Sequence, residues 1–285
     1  MGNAKESILA KLGDGVMESF DPELRRAFDV ADNKVDPKLK DPEKLRFQAG
    51  KLKVSGDGVF YTLQGEGQTM GEPCVFIRTH ICNLRCVWCD AFYTWNPNSE
   101  EFWTEAQDWT FAETKEKIES VWGDKSGKAQ KRVIFTGGEP LLQQAGIEDT
   151  IKLLGDDWAV EVETNGTIMP SDYMIGRAQF NCSPKIGNSE NIARARIKPE
   201  VLQKLATGNT RFKFVVMKPE ELDEIDRDFI QPGYVKHEQV ILMPQGVTTE
   251  EIQANMRNVA EYAKEKGFRM LGRLQVDVWG AKRRV

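Results

Sequence analysis

The chain has 285 residues, of which 40% are hydrophobic and 29% charged, and its formal net charge is -5. That length suits one large α/β domain with an appendage, or two small domains. The acidic balance excludes a protein that embraces nucleic acid by bulk charge, although a local basic patch stays open, and cationic membrane attachment is unsupported. No apolar stretch approaches the ~20 residues that span a bilayer. Lys5, Glu6, Lys11 and Asp14, set around the short Ile8-Leu9-Ala10 run, do not form the apolar centre of a secretion signal. A cytoplasmic location is therefore expected, where thiols stay reduced.

The first fifty or so residues are charged and punctuated by Asp21-Pro22, Asp36-Pro37 and Asp41-Pro42. Proline biases the residue before it away from helix, so these pairs mark turns or helix starts. Pro22 to Phe28 is predicted as a short helix capped by Asp21. Residues 1–51 are read as a peripheral extension of no assigned role. From Val59 onward strands and helices alternate. Arg132 to Phe135 is predicted as a buried strand, and Trp158 to Thr164 as another with Val160 and Val162 inward. Arg211 to Val216 and Gln239 to Met243 repeat the theme, and Arg269 to Val276 closes it. Thr110 with Glu113, and Thr248 with Glu251, fit the reciprocal capping box, and Gly267 is placed to end the second helix. Such alternation implies a mostly parallel α/β sheet, open or curled into a barrel, with its active site at the C-terminal ends of the strands.

Three of the five cysteines, Cys82, Cys86 and Cys89, fall within eight residues in the pattern C-x3-C-x2-C. In a reducing compartment such a cluster binds metal more often than it forms disulfides. Three thiolates on one loop can hold three corners of a cubic iron–sulfur cluster, leaving the fourth iron open to a small molecule. A structural zinc would want four ligands, and His80, His237 and Cys74 make no recognised finger spacing with the loop. Cys74 and Cys182 stand apart and are read as buried packing residues.

The spacing resembles that of the radical S-adenosylmethionine superfamily. The resemblance implies a partial (β/α) barrel and a [4Fe-4S] cluster on Cys82, Cys86 and Cys89. It also implies S-adenosylmethionine chelating the open iron through its amino and carboxylate groups. Trp88 matches the aromatic placed beside the adenine, or is simply a half-buried loop residue. Thr136-Gly137-Gly138-Glu139-Pro140 follows a buried strand and resembles the GGEP loop that holds the methionine amino group, with Gly138 and Glu139 as contacts. Glu163 and Asn165 end one later strand, and Ser183, Pro184 and Lys185 end another, where the cofactor's ribose and carboxylate would lie. Met243-Pro244-Gln245-Gly246 ends a further strand, as a plain turn or as a cover for the adenine.

A closer likeness lies in Tyr61-Thr-Leu63-Gln64-Gly65-Glu66-Gly67, then Val75-Phe-Ile-Arg78, then the cysteine loop and Asp90. These resemble the 7-carboxy-7-deazaguanine synthase family, from about Leu52 to the C-terminus, so residues 52–285 are expected to form the core. The resemblance implies a lyase that rearranges 6-carboxy-5,6,7,8-tetrahydropterin into 7-carboxy-7-deazaguanine with loss of ammonia, on the way to queuosine and related bases. Leu63, Gln64 and Gly65 would contact the pterin edge, with Glu66 supporting that loop. Arg78 would grip the substrate carboxylate, Thr136 would touch substrate, and Val285 would contribute its terminal carboxylate. A 5′-deoxyadenosyl radical would remove hydrogen from the pterin, and no side chain is expected to act as acid or base.

One departure concerns magnesium. The family carries Thr or Ser after Cys-Asp to help ligate Mg2+, and this chain has Ala91. Either substrate and water hold the ion, or Thr94 or Asp90 compensates, or the enzyme dispenses with it. The expected partners are the pterin, an electron donor such as flavodoxin or ferredoxin, and a second copy in a homodimer, with neither nucleic acid nor membrane. Two rival readings are an activase that makes a glycyl radical on a partner protein, and a non-catalytic metal-binding interaction protein.

Overall fold

The structure is a computed structural model that describes residues 35–124, 129–280, 282–283 and 285. The predicted Asp21-capped helix lies outside the described residues. Nine strands are β1 (Lys51–Leu63), β2 (Pro73–Thr79), β3 (Ala106–Thr110), β4 (Arg132–Gly137), β5 (Ala159–Thr164), β6 (Gln179–Cys182), β7 (Thr210–Val216), β8 (Val240–Pro244) and β9 (Arg269–Met270). They form one sheet in the order β3-β1-β2-β4-β5-β6-β7-β8-β9. β2 and β4 through β9 run parallel, while β1 pairs antiparallel with both β2 and β3. The sheet is open, as in the partial barrel anticipated from the alternating pattern.

The helices are α1 (Glu100–Thr104), α2 (Phe111–Trp122), α3 (Gln144–Leu154), α4 (Asp172–Arg177), α5 (Ala193–Arg196), α6 (Pro199–Ala206), α7 (Glu220–Ile225), α8 (Thr249–Lys266) and α9 (Leu274–Trp279). Both anticipated capping boxes are formed. The Glu113 N–H donates to Thr110 Oγ1 at 3.2 Å and the Thr110 N–H to Glu113 Oε2 at 2.7 Å, which satisfies otherwise orphaned donors at the start of α2. Thr248 and Glu251 repeat the exchange at α8, which ends on Gly267 in the left-handed region at φ 72°.

β4 and β8 read as near-continuous apolar runs because both faces of a parallel sheet are covered. Phe135, Val162, Phe180, Phe212 and Phe214 are buried in one core with Ile147 and Ile151 of α3, Leu202 and Leu205 of α6, and Val259 of α8. Cys74 and Cys182 are fully buried, as packing residues should be. Val160 and Val162 are buried as anticipated, but Glu161 between them is buried too, on the opposite face of the strand.

One predicted strand is corrected. Arg269 to Val276 is a strand only at Arg269–Met270. The Leu271 N–H still donates to the Leu242 carbonyl at 3.0 Å, after which the chain turns away, the Leu274 N–H donates to the Gly65 carbonyl at 3.0 Å, and α9 begins. A short apolar alternation fits a single helical turn as well as a strand, so periodicity alone does not separate them. Among the described residues no helix is long and apolar enough to cross a membrane.

Thr248→Ala should lower the stability of the cluster-free protein by about 1 kcal/mol, read as a shift of the urea midpoint without change of slope.

Candidate active site

A cavity of about 360 Å3 opens at the C-terminal end of the parallel strands. The three cysteines reach it through a backbone contact. β2 ends at Thr79, whose carbonyl accepts the Gly138 N–H at 3.1 Å, and the Ile81 carbonyl accepts the Glu139 N–H at 2.9 Å. A Cβ on Gly137 would lie 2.1 Å from the Thr79 oxygen and one on Gly138 2.0 Å from the Ile81 oxygen, so any side chain there would push the loop away.

Cys82, Cys86 and Cys89 all line the cavity, and polar donors surround them. Asn191 Nδ2 donates to Cys86 Sγ at 3.3 Å while its Oδ1 accepts the Arg85 N–H at 3.0 Å. Asn165 Nδ2 lies 3.9 Å from Cys82 Sγ and bonds Asn83 Oδ1 at 2.9 Å. The buried indole N–H of Trp95 faces the Cys89 sulfur. Burial raises the Cys82 thiol well above its ordinary value and pushes Cys89 up to about 12. Cys82 and Cys89 must therefore lose protons on ligating metal. Among the described residues no three His, Cys, Asp or Glu side chains converge on one ion position. Three sulfurs around one cavity, apart from one another and ringed by donors, fit a multi-iron cluster whose sulfurs accept hydrogen bonds; they do not fit a closed zinc site.

The next residues divide between cavity and support. Trp88, Gly138, Glu163, Asn165, Ser183 and Lys185 line the cavity, whereas Glu139 and Pro184 do not. Lys185 Nζ donates to Ser183 Oγ at 2.8 Å and sits 5.2 Å from the Trp88 ring centroid, a cation over an aromatic face. Glu139 is fully buried, and its oxygens accept from the Leu141 N–H at 2.9 Å, Thr164 Oγ1 at 2.8 Å and the Asn165 N–H at 2.7 Å. It fastens the tip of β5 to the glycine loop. Desolvation raises its pKa despite those donors. Met243, Pro244, Gln245 and Gly246 also line the cavity.

Leu63, Gln64, Gly65, Glu66, Arg78, Thr136 and Val285 share the same space. Arg78 is half-buried and makes no hydrogen bond or ion pair among the described residues, so its guanidinium is available to an anionic ligand. Glu66 is heavily engaged. It pairs with Lys213, with Arg273 Nε at 2.8 Å and with Gln275 Nε2 at 2.7 Å. Lys213 also bonds Glu163 at 2.9 Å, and Arg273 reaches Asp90 at 2.7 Å and the Gly246 carbonyl at 2.6 Å. Burial alone would raise the Glu66 pKa, but Lys213 and Arg273 pull it far below the carboxylate range. Asp90 is likewise lowered, burial being outweighed by Arg273. Desolvation keeps Glu163 raised, with Glu66 adding to it against Lys213.

Sequence reasoning missed Lys213, Arg273 and Gln275. Lys213 did leave a signal, a lone cation between Phe212 and Phe214, whose alternation sends it to the cavity face. Gly65 shows why α9 matters. A Cβ there would meet Gln275 Oε1 at 1.8 Å, so this helix lies directly on the Leu63 to Glu66 loop.

The Radical SAM superfamily model matches residues 76–272. A 7-carboxy-7-deazaguanine synthase from Halobacterium salinarum is 35% identical over 243 residues, covering 78% of this chain and 88% of its own length. One from Pyrobaculum aerophilum is 32% identical over 228 residues, covering 79% and 94%. Among solved structures, QueE from Escherichia coli superposes with a TM-score of 0.53 at 20% identity, covering 79% of this chain and 94% of that one, a likeness of fold.

Lys213→Met leaves two buried carboxylates short of a cation and should cost about 3–5 kcal/mol in unfolding of the cluster-free protein near neutral pH. Because the folded pKa of Glu66 is depressed, its contribution is complete above the ordinary carboxylate range and fades as pH falls toward the depressed value. The destabilisation caused by Glu66→Gln should therefore stay constant from neutral pH down to the ordinary carboxylate pKa and shrink only on further acidification.

Proposed function

The chain belongs to the radical SAM superfamily and, within it, to the 7-carboxy-7-deazaguanine synthase family, and on that premise we propose that it converts 6-carboxy-5,6,7,8-tetrahydropterin to 7-carboxy-7-deazaguanine with release of ammonia. It is a radical SAM lyase that uses a [4Fe-4S] cluster and S-adenosylmethionine. The observation that carries the substrate assignment is Arg78, whose guanidinium donates no hydrogen bond among the described residues and faces the same cavity as the three cysteines and the Leu63 to Glu66 loop.

Cys82, Cys86 and Cys89 would hold the cluster through three of its irons. When bound, the cluster and S-adenosylmethionine supply the 5′-deoxyadenosyl radical that abstracts hydrogen from carbon. The side chains bind, orient and exclude water. Trp88 offers a flat apolar face for the adenine, with Lys185 and Ser183 beside it. Gly138 allows close approach at the methionine end, and Glu163 and Asn165 present polar groups from the tip of β5. Arg78 would bind the pterin carboxylate, and Leu63, Gln64, Gly65 and Thr136 the ring edge. Glu66, locked by Lys213, Arg273 and Gln275, holds that loop in place, while Val285 closes the far side.

Residues 52–285 form the catalytic core in this reading, working in the cytoplasm, where reducing conditions keep three adjacent thiols available. A flavodoxin or ferredoxin would supply the electron, and the exposed Val87 and Phe92 on the cluster loop give it apolar surface. A homodimer belongs to the same reading and is measured by light scattering.

The side chains do not fit a protein-built magnesium site. Ala91 has no oxygen to offer, the Thr94 hydroxyl donates to the Ala91 carbonyl at 2.7 Å, and Asp90 is already neutralised by Arg273. Any magnesium at this site would therefore be held by substrate and water, so the metal is expected to bind the substrate-free protein no tighter than about millimolar, as measured by calorimetry.

The test of the function is anaerobic reconstitution with iron and sulfide, then incubation with the carboxytetrahydropterin, S-adenosylmethionine and a reductant. Wild type should form the deazaguanine, and Cys86→Ala should lose cluster and product together. Arg78→Ala should raise KM for the pterin about ten- to hundredfold, the worth of a charge-assisted pair, with Arg78→Lys between the two. Free 5′-deoxyadenosine without the deazaguanine would point to a different radical enzyme.

A further inference from the structure

Ile81 and Glu190 are the non-glycine residues at positive φ among the described residues. Glu190 closes a short 3-10 turn at φ 60° and ψ 9°, an ordinary left-handed cap. Ile81, at φ 79°, immediately precedes Cys82, and a β-branched side chain disfavours that conformation more than most. Strain of this kind persists only where the surroundings over-determine it.

The surroundings are specific. On the cavity side the Ile81 carbonyl accepts the Glu139 N–H at 2.9 Å, and the bare Cα of Gly138 lies against the same peptide. On the other side the Ile81 side chain is 1% exposed, in an apolar cup with Val35, Leu45, Phe102 and Trp103. Leu45 is placed there by the turn Pro42–Leu45, whose start is capped by Asp41 Oδ1 accepting the Glu43 N–H at 3.1 Å. Half of the cup therefore comes from the segment ahead of β1, which the catalytic reading leaves without a role, and the other half from α1.

We propose that Ile81 is a positioning residue for the cluster, its left-handed backbone held by the cup of Val35, Leu45, Phe102 and Trp103 so that Cys82 is presented to the cavity. Residues 35–47 then act as a brace behind the cysteine loop. This rests on the assignment of a cluster to Cys82, Cys86 and Cys89.

Ile81→Ala and Ile81→Gly separate backbone from side chain. Both empty the cup by nearly the same volume, but alanine keeps the strained backbone and glycine relaxes it. The full chain carrying each change is reconstituted anaerobically, and iron and acid-labile sulfide per chain are followed during incubation with a mild chelator. The alanine variant is expected to lose its cluster about tenfold faster than wild type, and the glycine variant at close to the wild-type rate. Leu45→Ala, which opens the cup from the extension, should speed loss in the wild-type background and have no further effect beside Ile81→Gly. If Ile81→Ala fails to fold, the two Leu45 comparisons decide the matter alone. Equal loss from the alanine and glycine variants, or an equal effect of Leu45→Ala in both backgrounds, would overturn the proposal. Wild type that takes up no iron and sulfide would instead overturn the cluster assignment beneath it.

Discussion

The catalytic end of this molecule depends on two stretches of backbone lying closer together than any side chain permits. The tip of β4, at Gly137 and Gly138, rests directly on the peptides from Thr79 to Cys82. That contact fixes the height of the cysteine loop above the sheet, and from it follows the position of each thiol along the cavity wall. Hydrogen bonds then extend the fixed point outward. Glu139 ties the glycine loop to Asn165, Asn165 ties β5 to Asn83, and Asn191 ties Arg85 and Cys86 to the far side. The chain spends a fully buried carboxylate on this fastening, which is stable only because three donors meet it.

A second network governs the substrate side and is electrostatic. Glu66 and Glu163 would repel one another inside the cavity, with Asp90 at its exposed rim, and Lys213 and Arg273 sit between them. Buried ion pairs of this kind add little net stability, yet removing one partner is costly, so they act chiefly to hold groups in register. Here they bind the substrate loop after β1 to β5, β7 and the segment leading into α9. Arg78 adds its charge near Asp90 but donates no hydrogen bond among the described residues. Radical chemistry asks for this division: rigid walls that keep water and stray donors from a reactive carbon centre, with unpaired cationic side chains kept for the molecules that enter.

Much of this was legible in the sequence because it depends on local spacing. Three cysteines within eight residues can hardly do anything but share a site, and polar residues after a buried apolar run mark the tips of parallel strands. The capping boxes were equally plain, since a hydroxyl and a carboxylate three residues apart satisfy the same helix end. What stayed hidden depends on distance along the chain. Glu66, Lys213 and Arg273 are separated by most of the protein, and nothing local announces that they meet. The strand expected over Arg269 to Val276 stops at Met270 because a short alternating run carries no information about where the pairing partner ends. Glu139 is read from its motif as a cofactor contact, and packing adds a second task that the motif does not show, since its oxygens accept from Leu141, Thr164 and Asn165. The left-handed backbone of Ile81 has no sequence signature, since isoleucine is among the last residues one would place there.

The central physical claim is that three thiols on a pinned loop leave one iron of the cluster without a protein ligand. Electron paramagnetic resonance of the reduced, reconstituted protein, recorded with and without S-adenosylmethionine, tests it most directly. A cluster with a vacant iron should change its spectrum when the sulfonium compound chelates there. A spectrum unchanged at saturating S-adenosylmethionine would mean that a fourth protein ligand closes the cluster, and the assignment would be wrong.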